Sequence, residues 1–160
     1  MLLGRKVTIR MRHLITVATN VIGVGYEGLD LDGLVSKLRL RGVVTVVDVR
    51  LNPISRKRGL SKSALRKRLE EESIVYEHLP ALGNPRDNRE GFSGITGATA
   101  TEARVRFTGL LDAPLAQRAL DRIIELAESG TVALLCFEED QTRCHRALIL
   151  DAFRKRVPNL

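Results

Sequence analysis

The segment from Cys136 to Leu148, CFEEDQTRCHRAL, holds both cysteines of the chain, one of its three histidines, and three acids set against two arginines. Thiols, an imidazole and carboxylates at this density suit nucleophilic catalysis, thiol redox chemistry or metal ligation. The same residues also suit a packed strand-to-helix turn laced with ion pairs. If Asp140 caps a helix beginning at Thr142, Cys144 falls within its first two turns. There the positive end of the helix dipole, Arg143 and Arg146 favour thiolate over thiol. Packing on a buried helix face is the alternative.

Cys136 lies inside an apolar run and reads as a small core residue, with a reversible Cys136–Cys144 disulfide as a further alternative. His145 and Glu138 are the groups that would move protons for a Cys144 nucleophile. Glu138 equally suits an ion pair with Arg50 or Arg146. Metal binding has the right atoms but poor spacing: neighbours on a helix point about 100° apart, and no second Cys or His pair completes a four-ligand set. No metal or cofactor is therefore expected. A phosphatase-type loop is excluded, because Thr142 stands where the arginine would be needed and Arg143 comes one residue late.

Two further polar clusters follow apolar runs. DVRLNP, Asp48 to Pro53, ends a strongly apolar stretch with an acid and a base on the same face of a strand. They suit a mutual ion pair, or Arg50 offers its planar fork to a phosphate or carboxylate. GVGYEG, Gly23 to Gly28, lacks the GxGxxG spacing of a dinucleotide site, and its glycines read as a tight turn with close backbone approach. Tyr26, Asn52, Ser55 and Arg56 join these clusters as candidate ligand-binding residues.

The elements that must position these groups alternate short apolar runs with longer helical patterns, the pattern of an α/β domain. Strands are expected at Val21–Val24, Val43–Val49, Ile74–His78 and Thr131–Phe137. Helices are expected at Leu31–Arg41 with Asp30 as N-cap and Gly42 as stop, at Ser61 to Glu72 with Ser61 as cap, at Thr101–Leu111, at Pro114–Ser129, and from Thr142 to Arg156. Leu82 to Ala100, rich in Gly, Asn, Pro and Thr, reads from its composition as a long, mobile loop. The economical assembly is a single three-layer domain over 21–157, its mostly parallel central sheet flanked by helices. Residues 1–20 read as an extension or a lead-in to the first strand.

Composition agrees with a globular chain: 44% hydrophobic and 28% charged, with aromatics at 4%, so that Val, Leu, Ile and Ala must build the core. Two cysteines and no recognisable signal sequence point to a reducing, cytoplasmic setting, and the opening MLLGRKVTIR is too broken by charge for a membrane span. The net charge of +7 is concentrated. From Arg50 to Arg68 there are eight Lys or Arg and no acid, enough to attract phosphate-bearing partners by counterion release. A solvated basic face is the plainer explanation.

With these motifs assembled, GYEG at 25–28, DVRLNPISRKRGLSKSAL at 48–65, HLPALGNP at 78–85 and LLCFEEDQTRCHR at 134–146, the chain resembles the domain of unknown function 488 family over about Val21 to Phe153. The resemblance implies a compact cytoplasmic α/β domain of prokaryotic type and supplies no reaction. By similarity, the positions that mark the family fall on Tyr26, Asp48, Arg50, Asn52, Pro53, Ser55, Gly59 and Gly83, and on Glu138, Cys144, His145 and Arg146.

The expected function is an anion-binding or phosphate-binding pocket beyond the strand carboxyl ends. Arg50, Arg56 and Arg146 would supply charge, Asn52 and Ser55 hydrogen bonds, and a helix end near Gln141 backbone donors. Its ligand would be a phosphorylated small molecule, a nucleotide or a nucleic-acid end. An enzyme at this site would use Cys144, His145 and Glu138. The alternative is a nucleic-acid-binding accessory protein working through segment 50–68, although few aromatics are present to stack on single-stranded bases.

Overall fold

The structure, a computed structural model, describes residues 17 and 19–157. The two longest strands are the inner ones, β2 (Val43–Asp48) and β4 (Thr131–Cys136), while the shorter β1 (Val21–Gly25) and β3 (Val75–His78) lie at the edges. The order is β1-β4-β2-β3 and every pairing is parallel. Strands covered on both faces need apolar side chains on both, which is why β2 and β4 lack a clean polar alternation. The register pairs Gly25 with Cys136, and Asp48 with both Leu135 and His78, so all four carboxyl ends meet along one edge.

Helices α1 (Leu31–Leu40) and α2 (Lys62–Glu71) cover one face, burying Leu34, Val35, Leu38, Leu65 and Leu69 against Val46, Ala133 and Leu135. Helices α3 (Ala98–Leu110), α4 (Pro114–Ala127) and α5 (Arg146–Arg156) cover the other, where Phe107, Leu120, Ile123 and Phe153 pack on Val47, Val132 and Leu134. This is the three-layer α/β domain that the apolar pattern predicts, with a wholly parallel sheet. Asp30 caps α1 by accepting from Gly33 N–H at 2.8 Å, and Gly42, at φ 64°, ends that helical segment in a conformation that suits glycine.

Three expectations need correction. Ser61 occupies the N-cap position of α2 but makes no capping bond; its hydroxyl accepts from Ser55 N–H at 3.0 Å and pins the preceding loop instead. The stretch from Leu82 to Ala100 is not a structureless loop. It contains 3-10 turns at Arg86–Asn88 and Glu90–Phe92, and its buried Asn88 donates to Asn84 Oδ1 at 2.9 Å and to Ala103 O at 3.0 Å. Finally, the last helix starts at Arg146 and not at Thr142. Asp140 caps a 3-10 turn, Gln141–Arg143, after which Cys144 returns to extended backbone at φ −131°.

Of the expected N-terminal extension, only Val17, Thr19 and Asn20 are described. Val17 is buried in the core cluster on the α3–α5 side of the sheet, and Asn20 Nδ2 donates to Ala127 O at 3.0 Å. Among the described residues, no helix is long and apolar enough to cross a membrane.

Candidate functional site

Alternation along β2 sends Asp48 to the α1–α2 face and Val49, just past the strand, to the α3–α5 face. Two polar networks result, one on each side of the sheet edge. Asp48 is fully buried, and an ionised carboxylate there is tolerable only with close partners. Arg50 Nε donates to Oδ1 at 2.8 Å and Nη2 to Oδ2 at 2.6 Å, while Tyr76 OH donates to Oδ2 at 2.6 Å. The remaining Arg50 nitrogen, Nη1, donates to Leu60 O at 2.8 Å and to Tyr26 OH at 3.1 Å. Of the two uses open to Arg50, the ion pair is therefore the one formed. Burial opposes the Arg50 charge, but the hydrogen bonds and field of Asp48 outweigh it and raise its pKa. Burial and the bond to Asp48 likewise hold the Tyr76 phenol protonated.

On the opposite face, Cys136 at the end of β4 meets Cys144 and His145 at the entry to α5. Both thiols are free and buried, so the disulfide alternative is not formed. His145 Nε2 lies 3.0 Å from Val49 O. A carbonyl can only accept, so Nε2 carries the proton in this contact and, in the neutral ring, Nδ1 presents its lone pair. Nδ1 lies 3.7 Å from Cys144 Sγ, and Phe107 meets the imidazole edge-on with ring centroids 5.1 Å apart. The thiol of Cys136 donates to Glu138 Oε2 at 3.3 Å.

The neighbouring Cys144 and burial together push the Cys136 thiol well up in pKa. Burial alone would raise Glu138 as well, but its own backbone N–H and the two thiols, with His145 nearby, hold its carboxyl below the ordinary value. Glu138 is therefore an ionised acceptor at neutral pH. It forms neither of the expected ion pairs, because Arg146 Nη2 donates to its backbone oxygen and not to its carboxylate. Arg146 is buried, and its Nε and Nη1 have no hydrogen-bond partner among the described residues.

These groups lie against a cleft of about 480 Å³ at the carboxyl edge of the sheet, a size suited to a small ligand. Tyr26, Arg50, Asn52, Ser55, Arg56, Glu138, Cys144 and His145 line it, whereas Asp48 sits behind Arg50 and Arg146 is not part of the lining. The sequence reading missed Lys57, Asn84, Arg89 and Phe92, which also line the cleft, and named Arg143, a further lining residue, only for its charge beside Cys144. Phe92 arrives with a 3-10 turn and had no signal in the sequence, whereas Asn84, just before the first of the two turns, was signalled only by the HLPALGNP motif. Gly83 allows that wall to close: a Cβ there would stand 2.5 Å from Leu51 Cα. Gly25 does the same for the floor, where a Cβ would stand 1.9 Å from Glu138 O.

The basic run from Arg50 to Arg68 is partly spent on the fold. Lys57 Nζ donates to Leu29 O at 2.8 Å, Lys62 Nζ lies 3.2 Å from His78 Nδ1, and Arg68 bonds Asp32 and Glu72. Arg66 lies over the Tyr76 ring. The argument from helical divergence against a metal cluster also lapses, because Cys144 and His145 do not stand on a helix. One donor atom each from Cys136, Cys144 and His145 falls within a 4.8 Å sphere of mutual distances.

Comparison with curated proteins and with solved structures returns no match. The family comparison does: the motifs that build the Asp48–Arg50 pair, the Asn84 wall and the Cys–His floor all fall inside its matched stretch, residues 30–153, and the chain belongs to the family described as domain of unknown function DUF488.

Proposed function

We propose that the protein binds a small phosphate-bearing or carboxylate-bearing molecule in the cleft and acts on it through Cys144. The observation that carries this reading is the placement of Cys144 Sγ 3.7 Å from an imidazole whose other nitrogen is held by Val49 O, at the floor of a basic cleft. A thiol is weak as a nucleophile until a base takes its proton, and a base is useful only when oriented. His145 meets both conditions. Among the described residues the lining carries Arg50, Arg56, Lys57, Arg89 and Arg143 against the single carboxylate of Glu138.

Arg50 is committed to Asp48, so the anion is held by Arg56, Arg89 and Arg143, with Asn52 and Ser55 as hydrogen-bonding groups. Tyr26, Asp48 and Arg50 form the rigid wall behind them. In the reaction, Cys144 gives its proton to His145 Nδ1 and its sulfur attacks an electrophilic centre of the bound molecule; His145 then returns the proton to the departing group. Glu138, ionised, holds the thiols and the imidazolium by charge.

The test is the rate at which iodoacetamide alkylates Cys144 in a Cys136→Ser protein, kept metal-free by a chelator, with and without inorganic phosphate or a nucleotide. The anion should slow alkylation severalfold, Arg89→Ala should remove that protection, and His145→Ala should slow the unprotected reaction. A rate indifferent to anions and to His145 would overturn the assignment and leave the exposed cations of segment 50–68, with their salt-dependent attraction for nucleic acid, as the reading to pursue.

A further inference from the structure

The two thiols and the imidazole at the cleft floor have the mutual spacing of donors around one metal ion, and the Glu138 carboxylate lies beside one of the thiols. On a tetrahedral zinc, with bonds of about 2.3 Å to sulfur and about 2.0–2.1 Å to nitrogen or oxygen, a sulfur and a nitrogen stand roughly 3.6 Å apart and two sulfurs roughly 3.8 Å. Cys144 Sγ and His145 Nδ1 are 3.7 Å apart, and Cys136 Sγ and Glu138 Oε2 are 3.3 Å apart. The two Sγ atoms and a ring nitrogen of His145 all lie within 4.8 Å of one another, so small side-chain rotations bring them to a common centre.

A second observation is independent of spacing. His145 Nε2 is bound to Val49 O at 3.0 Å, the outer-sphere bond that orients a ligating histidine and leaves its other nitrogen free of a proton. We propose that Cys136, Cys144 and His145, with Glu138 as fourth donor, bind a divalent transition metal of the zinc class. Thiolate and imidazole select such ions over magnesium or calcium. Binding releases the two thiol protons to solvent. Two thiolates and one carboxylate around a dication leave one net negative charge, and the buried Arg146 guanidinium, bonded to Glu138 O, is the cation beside it.

This goes beyond the cleft reading and sets a condition on it. A thiolate bound to metal is not free to attack, so metal occupancy and Cys144 nucleophilicity are alternative states of one site.

The experiment is a cobalt titration of the full-length, reduced protein with no anion added. One equivalent should give thiolate-to-cobalt charge-transfer absorption and tetrahedral visible bands, both abolished by zinc. Cys136→Ser and His145→Ala should each weaken binding by more than the about 10–100-fold that outer-sphere changes cost, and Glu138→Gln by less. A folded wild-type protein with two titratable thiols and no charge-transfer band overturns the proposal, as does a band unchanged in the Cys136→Ser, Cys144→Ser double variant. The alkylation test above is run without Cys136 and without metal, so either reading can fail while the other stands.

Discussion

His78 and His145 stand in the same relation to the backbone and differ in what they can do. His78 Nε2 meets Arg50 O at 2.8 Å, and His145 Nε2 meets Val49 O at 3.0 Å, so consecutive carbonyls past β2 are each taken by a histidine. The other nitrogen of His78 is occupied by Lys62 Nζ at 3.2 Å, which leaves that ring a strut between β3 and α2. The other nitrogen of His145 faces a thiol. The same division separates the two networks around them: on the Asp48 face strong donors and acceptors are matched, and on the Cys144 face a base, two thiols and a carboxylate keep capacity for something else. A closed network serves the fold, and chemistry needs one left open.

The largest effect is expected on the closed side. Asp48→Asn preserves shape but leaves Arg50 buried without its counter-charge, and removing one partner of such a pair costs about 3–5 kcal/mol. Urea denaturation should show that loss with an unchanged slope. Tyr76→Phe, which removes a single bond to a charged acceptor, should cost about 1.5–3 kcal/mol. If Asp48→Asn proves nearly neutral, the Asp48 face is not the closed structural unit described above and the contrast with the Cys144 face loses its basis.

The histidines sharpen the contrast at smaller magnitude. His145→Ala leaves a buried carbonyl without its donor, at about 1–3 kcal/mol, whereas the partly exposed site of His78 should lose about 1 kcal/mol because water can replace the ring. The discriminating measurement is the Cys144 alkylation rate, which His145→Ala should lower and His78→Ala should leave alone. Equal effects of the two substitutions on that rate would mean that His145 acts only as a second strut.

Much of the closed side was legible in the sequence, because strand alternation alone places Asp48 and Arg50 on one face and apolar runs locate β2 and β4. The partners Tyr26 and Tyr76 were not, since they arrive through β1 and through the β2–β3 register, which no local pattern states. The entry to α5 was misread for a specific reason. Asp140 is a sound N-cap and no Gly or Pro interrupts Thr142 to Arg146, so local preference favours a continuous helix there. The tertiary bond from His145 to Val49 O and the burial of Cys144 accompany a one-turn stop and an extended residue, so tertiary contacts prevail over propensity at the proposed site.

That one-turn stop offers the smallest and most local test. Asp140 Oδ1 accepts from Thr142 Oγ1 at 2.6 Å and from Thr142 N–H at 2.9 Å, and these bonds hold its carboxyl below the ordinary aspartate value. A group whose folded pKa is depressed stabilises the fold above its unfolded pKa, and the contribution fades as pH falls through the folded value. Wild type should thus be slightly more stable than Asp140→Ala at neutral pH, with the difference shrinking below pH of about 3.9. Asp140→Asn keeps the acceptor without the charge, so it should retain part of the stability and lose the pH dependence. Because the turn sets where Cys144 emerges, Asp140→Ala should also alter the Cys144 alkylation rate while leaving the Asp48 network intact. A stability difference that persists unchanged at pH 3 would show that the carboxylate charge does not hold the turn, and that the buried bond from His145 to Val49 O is sufficient to fix the thiol.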